Sequence, residues 1–473
     1  MRFYDREEEI EAIHEWIRLS SKRMQVGVIY GRRRTGKTRL IREALAGRAS
    51  LYFFVARKPV PDLLQDFQEE LDAKTDVILG GRIGSISEFL SVLSQISKKG
   101  PLTVVFDEFQ NFRYIDPSVF GAFQRWIDEH QEGSGLTVIF IGSMFSLMKK
   151  IFLEYKEPLY GRVTGQILLR PLSPMVEARI LKDLGLYSPS NWLRFHALFG
   201  GIPRYYDLLS DRADAIADPL HAIRELIVGP FAVLKDEGRA LLMEEFGKKY
   251  MVYFSVLQAI SRGQTTRSQI ANATGLRYNR LGPYLDELEK HYELIERETP
   301  ILAQKERSKN SRYRLKDPFI RFWFRYLFKY GRFLEIEAYD MLMEIIQKDL
   351  SVLEGLVFEE LVKKTLIFLN RSCKWEFPFD DIGRYWERKG NEIDLVAVNR
   401  KERKILFAEC KLSGKKVTGE IWLGLRAKSE SLLRKYGDFK PCYGAFVVRD
   451  KASADSRMHP VWSLQGLLDA EES

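Results

Sequence analysis

An apolar run, VGVIY at residues 26–30, ends in GRRRTGKT at residues 31–38, and a helix-compatible segment follows. A strand that stops at such a loop, with a helix opening at its far side, points to a parallel sheet with the loop at its carboxyl edge. The residue types say what the loop can hold. Gly31 and Gly36 let backbone N–H groups curl around an anion, and the helix N-terminus adds partial positive charge. Lys37 would reach the β and γ phosphates of ATP, and Thr38 would place its hydroxyl on Mg2+. Arg34, Thr35 and Arg39 complete the candidate cradle.

A second strand-like run, residues 102–106, drives into Asp107-Glu108. An acidic pair after a strand is often a solvated turn, but a phosphate loop upstream reverses that expectation. Asp107 suits magnesium, directly or through water, and Glu108 is placed to polarise the attacking water. Another run ends at Gly142-Ser143, where the Ser143 hydroxyl either senses the γ phosphate or caps the next helix. Arg162 is a surface arginine or an arginine finger, in cis or across a subunit boundary.

The fragments FYDREEEIEAI, GRRRTGKT, VVFDEFQ, IGS, PLYGR and GGIPRYY, in this order, resemble the archaeal-type ATPase family, a branch of the AAA+ and STAND-related P-loop ATPases. The likeness spans about residues 1–230. It implies that Arg6 lies near the base or ribose and that the Gly-Gly-Ile-Pro turn at residues 200–203 belongs to a lid over the nucleotide.

Periodicity divides the rest of the chain. Five strand candidates lie at residues 26–30, 51–55, 102–106, 136–141 and 166–169, so residues 1–172 read as the P-loop core. Residues 173–245 turn helical, the expected lid, and residues 246–318 read as a winged helix. There, helices at 250–261 and 277–292 flank a short one capped by Thr265-Thr266 and ended near Gly275. Two strands around the basic loop QKERSKNSR would form the wing, with Lys305, Arg307, Lys309, Arg312 and Arg314 close together. The third helix opens with Arg277, Tyr278, Asn279 and Arg280, residues able to reach bases and phosphates. DNA contact by this region stands against a role as a rigid cover or protein-interaction module. The stretch PFIRFWFRYLFKYGRF has the spacing of a packing helix, and residues 319–350 read as connecting helices.

From 351 to 473 the pattern is a helix at 353–368 followed by strand-like runs at 392–398, 405–410 and 443–448. Glu409 and Lys411 lie two apart on one strand and so share a face. If residues 395–398 pair with 405–408, Asp394 falls opposite Glu409, and two carboxylates that close need a cation between them. With Glu359 on the preceding helix, NEIDLVAV and ILFAECKL resemble the PD-(D/E)XK nuclease superfamily, with isoleucine where the superfamily name has proline. The resemblance implies a metal held by Asp394 and Glu409, supported by Glu359, with Lys411 orienting the nucleophile. Arg384, Arg388, Lys389, Lys415 and Lys416 flank these carboxylates in sequence and would draw in a phosphate backbone. An inactive relic is the alternative.

Bulk properties narrow the partners. The net charge of +9 admits a polyanion. Three scattered cysteines and six histidines match no disulfide framework or zinc spacing, which leaves a hard cation. No apolar run approaches the ~18 residues a membrane span needs, and the charged N-terminus lacks a signal-peptide core, so a cytoplasmic protein is expected. The sequence therefore reads as α/β: a P-loop NTPase parallel sheet with helical lid, a winged helix-turn-helix domain and a restriction-endonuclease-like α/β domain. ATP is the expected substrate and DNA the expected partner. The rival is a nucleotide switch controlling a protein partner, which would have little use for Glu108 or for a filled Asp394, Glu409, Lys411 set.

Overall fold

The computed structural model describes residues 1–76, 81–132, 135–247, 250–301, 310–387, 390–435, 437–449 and 459–472. The chain divides into two units, Tyr4–Pro171 and Leu172–Ser473 joined by Met1–Phe3.

In the first unit five strands form one parallel sheet: β1 (Gln25–Tyr30), β2 (Ser50–Phe54), β3 (Leu102–Asp107), β4 (Leu136–Gly142) and β5 (Gly165–Leu168). Their spatial order is β2-β3-β4-β1-β5. Every residue of β1, β3 and β4 is buried, as strands covered on both faces by helices must be. The core on one face is rich in phenylalanine. Phe53 and Phe140 stack on Phe106 at 5.5 and 5.8 Å between centroids, and Phe109 and Phe123 join the same cluster. On the helix Glu7–Leu19, Trp16 lies against paired glycines, Gly27 of β1 and Gly165 of β5. A Cβ at either would stand 2.4 or 2.2 Å from the Trp16 ring, so both positions exclude a side chain.

The order matters because β4 separates β1 from β3. The loop after β1, the end of β4 at Gly142 and the end of β3 at Asp107 therefore line up along one edge of the sheet.

The second unit begins with helices from Pro174 onward. The helices Tyr250–Ser261, Arg267–Thr274 and Tyr278–Asp286 follow, then the antiparallel pair β6 (Ile295–Glu298) and β7 (Arg312–Leu315). Thr266 caps the middle helix in a reciprocal box with Gln269, and Gly275 ends it in the left-handed conformation, φ +69°. The expected single helix over 277–292 changes character at Glu287–His291, a π turn downstream of Pro283, whose ring removes one helix donor. The aromatic segment packs as expected, with Phe319, Phe322, Trp323 and Tyr326 buried, but as a short helix running into a second π turn, Trp323–Phe328.

One expectation fails outright. Instead of connecting helices ending near 350 and a new helix at 353, one helix of 33 residues, Tyr339–Arg371, runs through both. Gly355 lies inside it; nothing lies within 4 Å of its vacant Cβ position, and the helix absorbs its cost of about 1 kcal/mol through packing on either side. The long helix packs on the sheet β8 (Asp381–Trp386), β9 (Glu392–Asn399), β10 (Lys404–Ser413), β11 (Lys440–Arg449) and β12 (Val461–Ser463). Its order is β12-β11-β10-β9-β8; β9 runs antiparallel to both neighbours, and β10, β11 and β12 are parallel.

Among the described residues no helix is long and apolar enough to cross a membrane.

Candidate functional site

Glycines at special positions set the shape of the loop at residues 31–38. A Cβ on Gly31 would sit 2.3 Å from the Leu169 carbonyl oxygen, and Gly36, at φ +88°, occupies the left-handed position before the helix Lys37–Ala44. Arg34 is also left-handed, at φ +69°. Thr35 Oγ1 donates to the Arg32 carbonyl at 2.8 Å and closes the loop on itself. Lys37 is buried, its Nζ donating to the carbonyls of Gly31 and Arg32 at 2.9 and 2.8 Å. Arg39 points along its helix, 4.0 Å from Glu43.

The strand ends meet this loop. Thr38 Oγ1 donates to Asp107 Oδ2 at 3.1 Å, and Tyr52 of β2 donates to the same oxygen. Burial and the Asp107 charge push the Tyr52 phenol up, so it remains a neutral donor. Asp107 Oδ1 accepts the Glu108 backbone N–H at 2.8 Å. Glu108 itself sits at φ +54°, a left-handed conformation that costs a non-glycine residue on the order of 1 kcal/mol or more and recurs at functional sites. Its Oε2 accepts from Ser143 Oγ at 2.8 Å and from Gln110 Nε2. The helix after β4 takes Met144, not Ser143, as its N-cap, which leaves the Ser143 hydroxyl to Glu108. Gly142 makes room: a Cβ there would meet Gln110 Oε1 at 2.5 Å. Tyr52 and Gln110 were not legible as site residues, because only the strand register brings them to the acids.

Two arginines go elsewhere. Arg162 makes a two-point pair with Asp128, both contacts 2.8 Å, and donates to the carbonyls of Pro158 and Tyr160. Arg6 is buried, donating to Glu9 at 3.0 Å and to the Arg170 carbonyl at 2.5 Å.

The second cluster lies on the C-terminal sheet. β9 and β10 pair in the anticipated register, Leu395 opposite Ala408, so Asp394 follows opposite Glu409. Lys411 Nζ stands between them, 3.3 Å from Asp394 Oδ2 and 2.6 Å from Glu409 Oε2. Lys428, on the helix Gly419–Lys435, takes the other Glu409 oxygen at 2.8 Å, a partner the strand pattern could not reveal. Burial and Glu409 raise the Asp394 carboxyl. Against the upward push of burial, Lys411 and Lys428 hold Glu409 low. Glu359 is pushed up to about 8, by burial first and then by Asp394. Among the described residues no group of three or more His, Cys, Asp or Glu side chains is arranged to hold a metal; the cation between the carboxylates is the Lys411 ammonium.

The basic surfaces are less open than expected. Arg314 pairs with Glu298 at 2.9 Å, Arg312 with Glu392 at 3.0 Å, and Arg384 with Glu359 and Glu392 at 3.1 and 2.6 Å. Lys305, Arg307, Lys309, Arg388 and Lys389 lie outside the described residues. Arg277, Tyr278, Asn279, Arg280, Lys415 and Lys416 are exposed.

Comparison with known proteins bears on the segment that carries the phosphate loop. A family model described as an ATPase domain predominantly from Archaea matches residues 3–206. The uncharacterized protein MJECL04 of Methanocaldococcus jannaschii is 34% identical over 413 residues, 86% of this chain and 87% of that protein. The chain belongs to this archaeal ATPase family. A second model, described as Archaea bacterial proteins of unknown function, matches residues 323–421 and so assigns no chemistry to the carboxylates on the C-terminal sheet. Among solved structures, a Walker-type ATPase of Pyrococcus abyssi shares the fold, with TM-score 0.54 at 21% identity over 68% of this chain and 96% of that one. The ORC2 protein of Aeropyrum pernix, solved in ADPNP–ADP complexes, gives TM-score 0.46 at 15% identity over 73% and 96%. As a member of this family the chain carries an ATP-binding P-loop domain.

Proposed function

We propose that this protein hydrolyses ATP at the edge of the first sheet and couples that cycle to a nucleic acid. The observation that carries the first part is the meeting of Thr38 with Asp107 and of Ser143 with Glu108, which joins the phosphate loop to two other strand ends in one hydrogen-bonded constellation. The residues fit a nucleotide with magnesium. Gly31 lets the loop lie close against Leu169 and Gly36 supplies its left-handed turn, Lys37 delivers an ammonium at the loop carbonyls, and Thr38 and Asp107 offer two oxygens 3.1 Å apart to a hard cation. Bound there, Mg2+ would neutralise charge on the β and γ phosphates. Lys37 would exchange its loop carbonyls for phosphate oxygens. Glu108, with Oε2 occupied by Ser143 and Gln110, presents Oε1 to orient the attacking water and accept its proton. Magnesium-dependent phosphate release tests this reading: Lys37→Ala should lose nucleotide binding, and Glu108→Gln should retain binding and lose turnover. Unchanged hydrolysis in both variants refutes it.

The second part rests on the exposed Arg277, Tyr278, Asn279 and Arg280 at the start of the third helix of a winged-helix-like arrangement. Arg312 and Arg314 of the expected wing are spent on carboxylates, and Lys305, Arg307 and Lys309 lie outside the described residues. The Asp394, Glu409, Lys411 register supports a further reading, hydrolysis of nucleic acid at the C-terminal sheet. With both Glu409 oxygens on ammonium groups, the set does not fit a divalent cation in this arrangement. Incubation with linear, nicked, branched and single-stranded DNA and with RNA, with Mg2+ or Mn2+ and with EDTA, tests it. Cleavage abolished by Asp394→Ala supports the reading, and an inert wild-type protein replaces it with a binding or structural role.

A further inference from the structure

A cavity of about 540 Å³ opens in the second unit. Its walls come from the end of the helix Tyr250–Ser261, from β7, from the π turn Trp323–Phe328 and from the long helix. That volume is in the range of small-ligand sites, which combine aromatic or apolar walls with a few placed polar groups. Phe324, Phe328, Tyr330 and Tyr313 supply aromatic wall. Four of the six π-turn residues line it: Phe324, Arg325, Tyr326 and Phe328. A π turn is less stable than an α turn and is found disproportionately where a helix shapes a functional site.

The charge is unequal. Five cations line the cavity, Arg262, Arg314, Arg321, Arg325 and Lys329, against one carboxylate, Asp349. Three of the five are already paired: Arg314 with Glu298, Arg321 with Glu360 and Arg325 with Asp349, at 2.9, 2.8 and 2.6 Å. Asp349, held below its usual range by the hydrogen bond from Arg325, stays ionised, and Tyr326 donates to it at 2.8 Å. Arg262 and Lys329 have no carboxylate within ion-pair distance among the described residues, and both are exposed. Lys329 rests 4.8 Å from the centre of the Tyr330 ring. Two cations outside ion pairs, of which Lys329 feels the Asp349 charge only at longer range, beside a chamber of aromatic rings match a ligand with one dianionic phosphate and one planar ring.

We propose that this cavity is a second nucleotide site, separate from the phosphate loop, that takes a nucleoside monophosphate, with the ring among Phe324, Phe328 and Tyr330 and the phosphate between Arg262 and Lys329. The site is independent of the ATP reading, and the test isolates it. Full-length Lys37→Ala protein is titrated with AMP, GMP and inorganic phosphate by calorimetry. One-to-one saturable binding of AMP or GMP, at least tenfold tighter than phosphate alone, is expected. Adding Arg262→Glu with Lys329→Glu should weaken it tenfold or more. Leu356→Trp, at a partly exposed lining position, should block it with the melting temperature unchanged. No saturable binding of either nucleotide at millimolar concentration overturns the proposal, as does binding that survives both the charge reversal and the tryptophan.

Discussion

Replacing Gly31 with alanine adds one methyl group and asks a quantitative question of the phosphate loop. The new Cβ would stand 2.3 Å from the Leu169 carbonyl oxygen, which is backbone and cannot swing aside. Ordinary contact is about 3.2 Å or more, so the loop and the end of β5 must separate by close to 1 Å. Overpacking of this kind costs about 1–3 kcal/mol. The larger effect should fall on function, because Lys37 is anchored to the Gly31 carbonyl at 2.9 Å and moves with it. A displacement near 1 Å in a positioned group costs on the order of 100-fold in rate. The control is Gly121→Ala, inside the helix Val119–Glu129, where nothing lies within 4 Å of the added carbon. That change should be neutral or stabilise by up to about 1 kcal/mol. Thermal unfolding and equilibrium titration with a fluorescent ATP analogue, run on both variants, give the two readouts. If Gly31→Ala melts and binds as the parent does, the close approach to Leu169 does not shape the loop and the reasoning fails.

Ser143→Ala removes one of two donors to Glu108 and should lower turnover about 10- to 100-fold with nucleotide affinity retained, whereas a structural Ser143 would lower the melting temperature instead. Glu360 is mostly covered; desolvation pushes its carboxyl up, but Arg321 and Lys364 hold it well below the usual range. Its depressed pKa therefore contributes stability that is present above pH ~4 and lost as pH falls through the folded value. Glu360→Gln should cost about 3–5 kcal/mol near neutrality by stranding Arg321, and its urea midpoint should converge on that of the parent in acid. A constant gap across pH would deny the ion pair that role. Arg277→Ala with Arg280→Ala should weaken DNA binding and reduce its salt slope by about two, while an unchanged slope assigns this helix to something other than phosphate contact.

The first sheet was readable because its signal is local: three strands buried on both faces give uninterrupted apolar runs, and a glycine loop leaves one of them. The Asp394–Glu409 juxtaposition was readable for a different reason, since one short connection fixes an antiparallel register and hence which side chains face each other. What escaped was set by tertiary contact. Tyr52 reaches Asp107 only because β2 and β3 pair in parallel, Phe54 opposite Asp107. Lys428 arrives from a helix, with no periodic relation to Glu409. Arg312 and Arg314 look like a basic wing in one dimension, but one of their partners, Glu392, lies far along the chain. The boundary expected near 350 is absent, because packing carries one helix from Tyr339 to Arg371.

The helix Tyr339–Arg371 has a mechanical consequence. At 33 residues it is about 50 Å long, and it carries contacts to three different regions of the second unit. Glu354 meets Arg194 at 2.6 Å, Glu360 meets Arg321 at 2.8 Å, and Glu359 meets Arg384 at 3.1 Å. Glu359 and Glu360 are neighbours in sequence and so point about 100° apart around one axle. Any torsion of that axle that draws Glu360 away from Arg321 must swing Glu359 relative to Arg384 and the carboxylates beyond it. Translation along the axis would load the Arg194 pair as well. A stiff shaft geared at three points leaves little room for one region to move while the other two stay at rest.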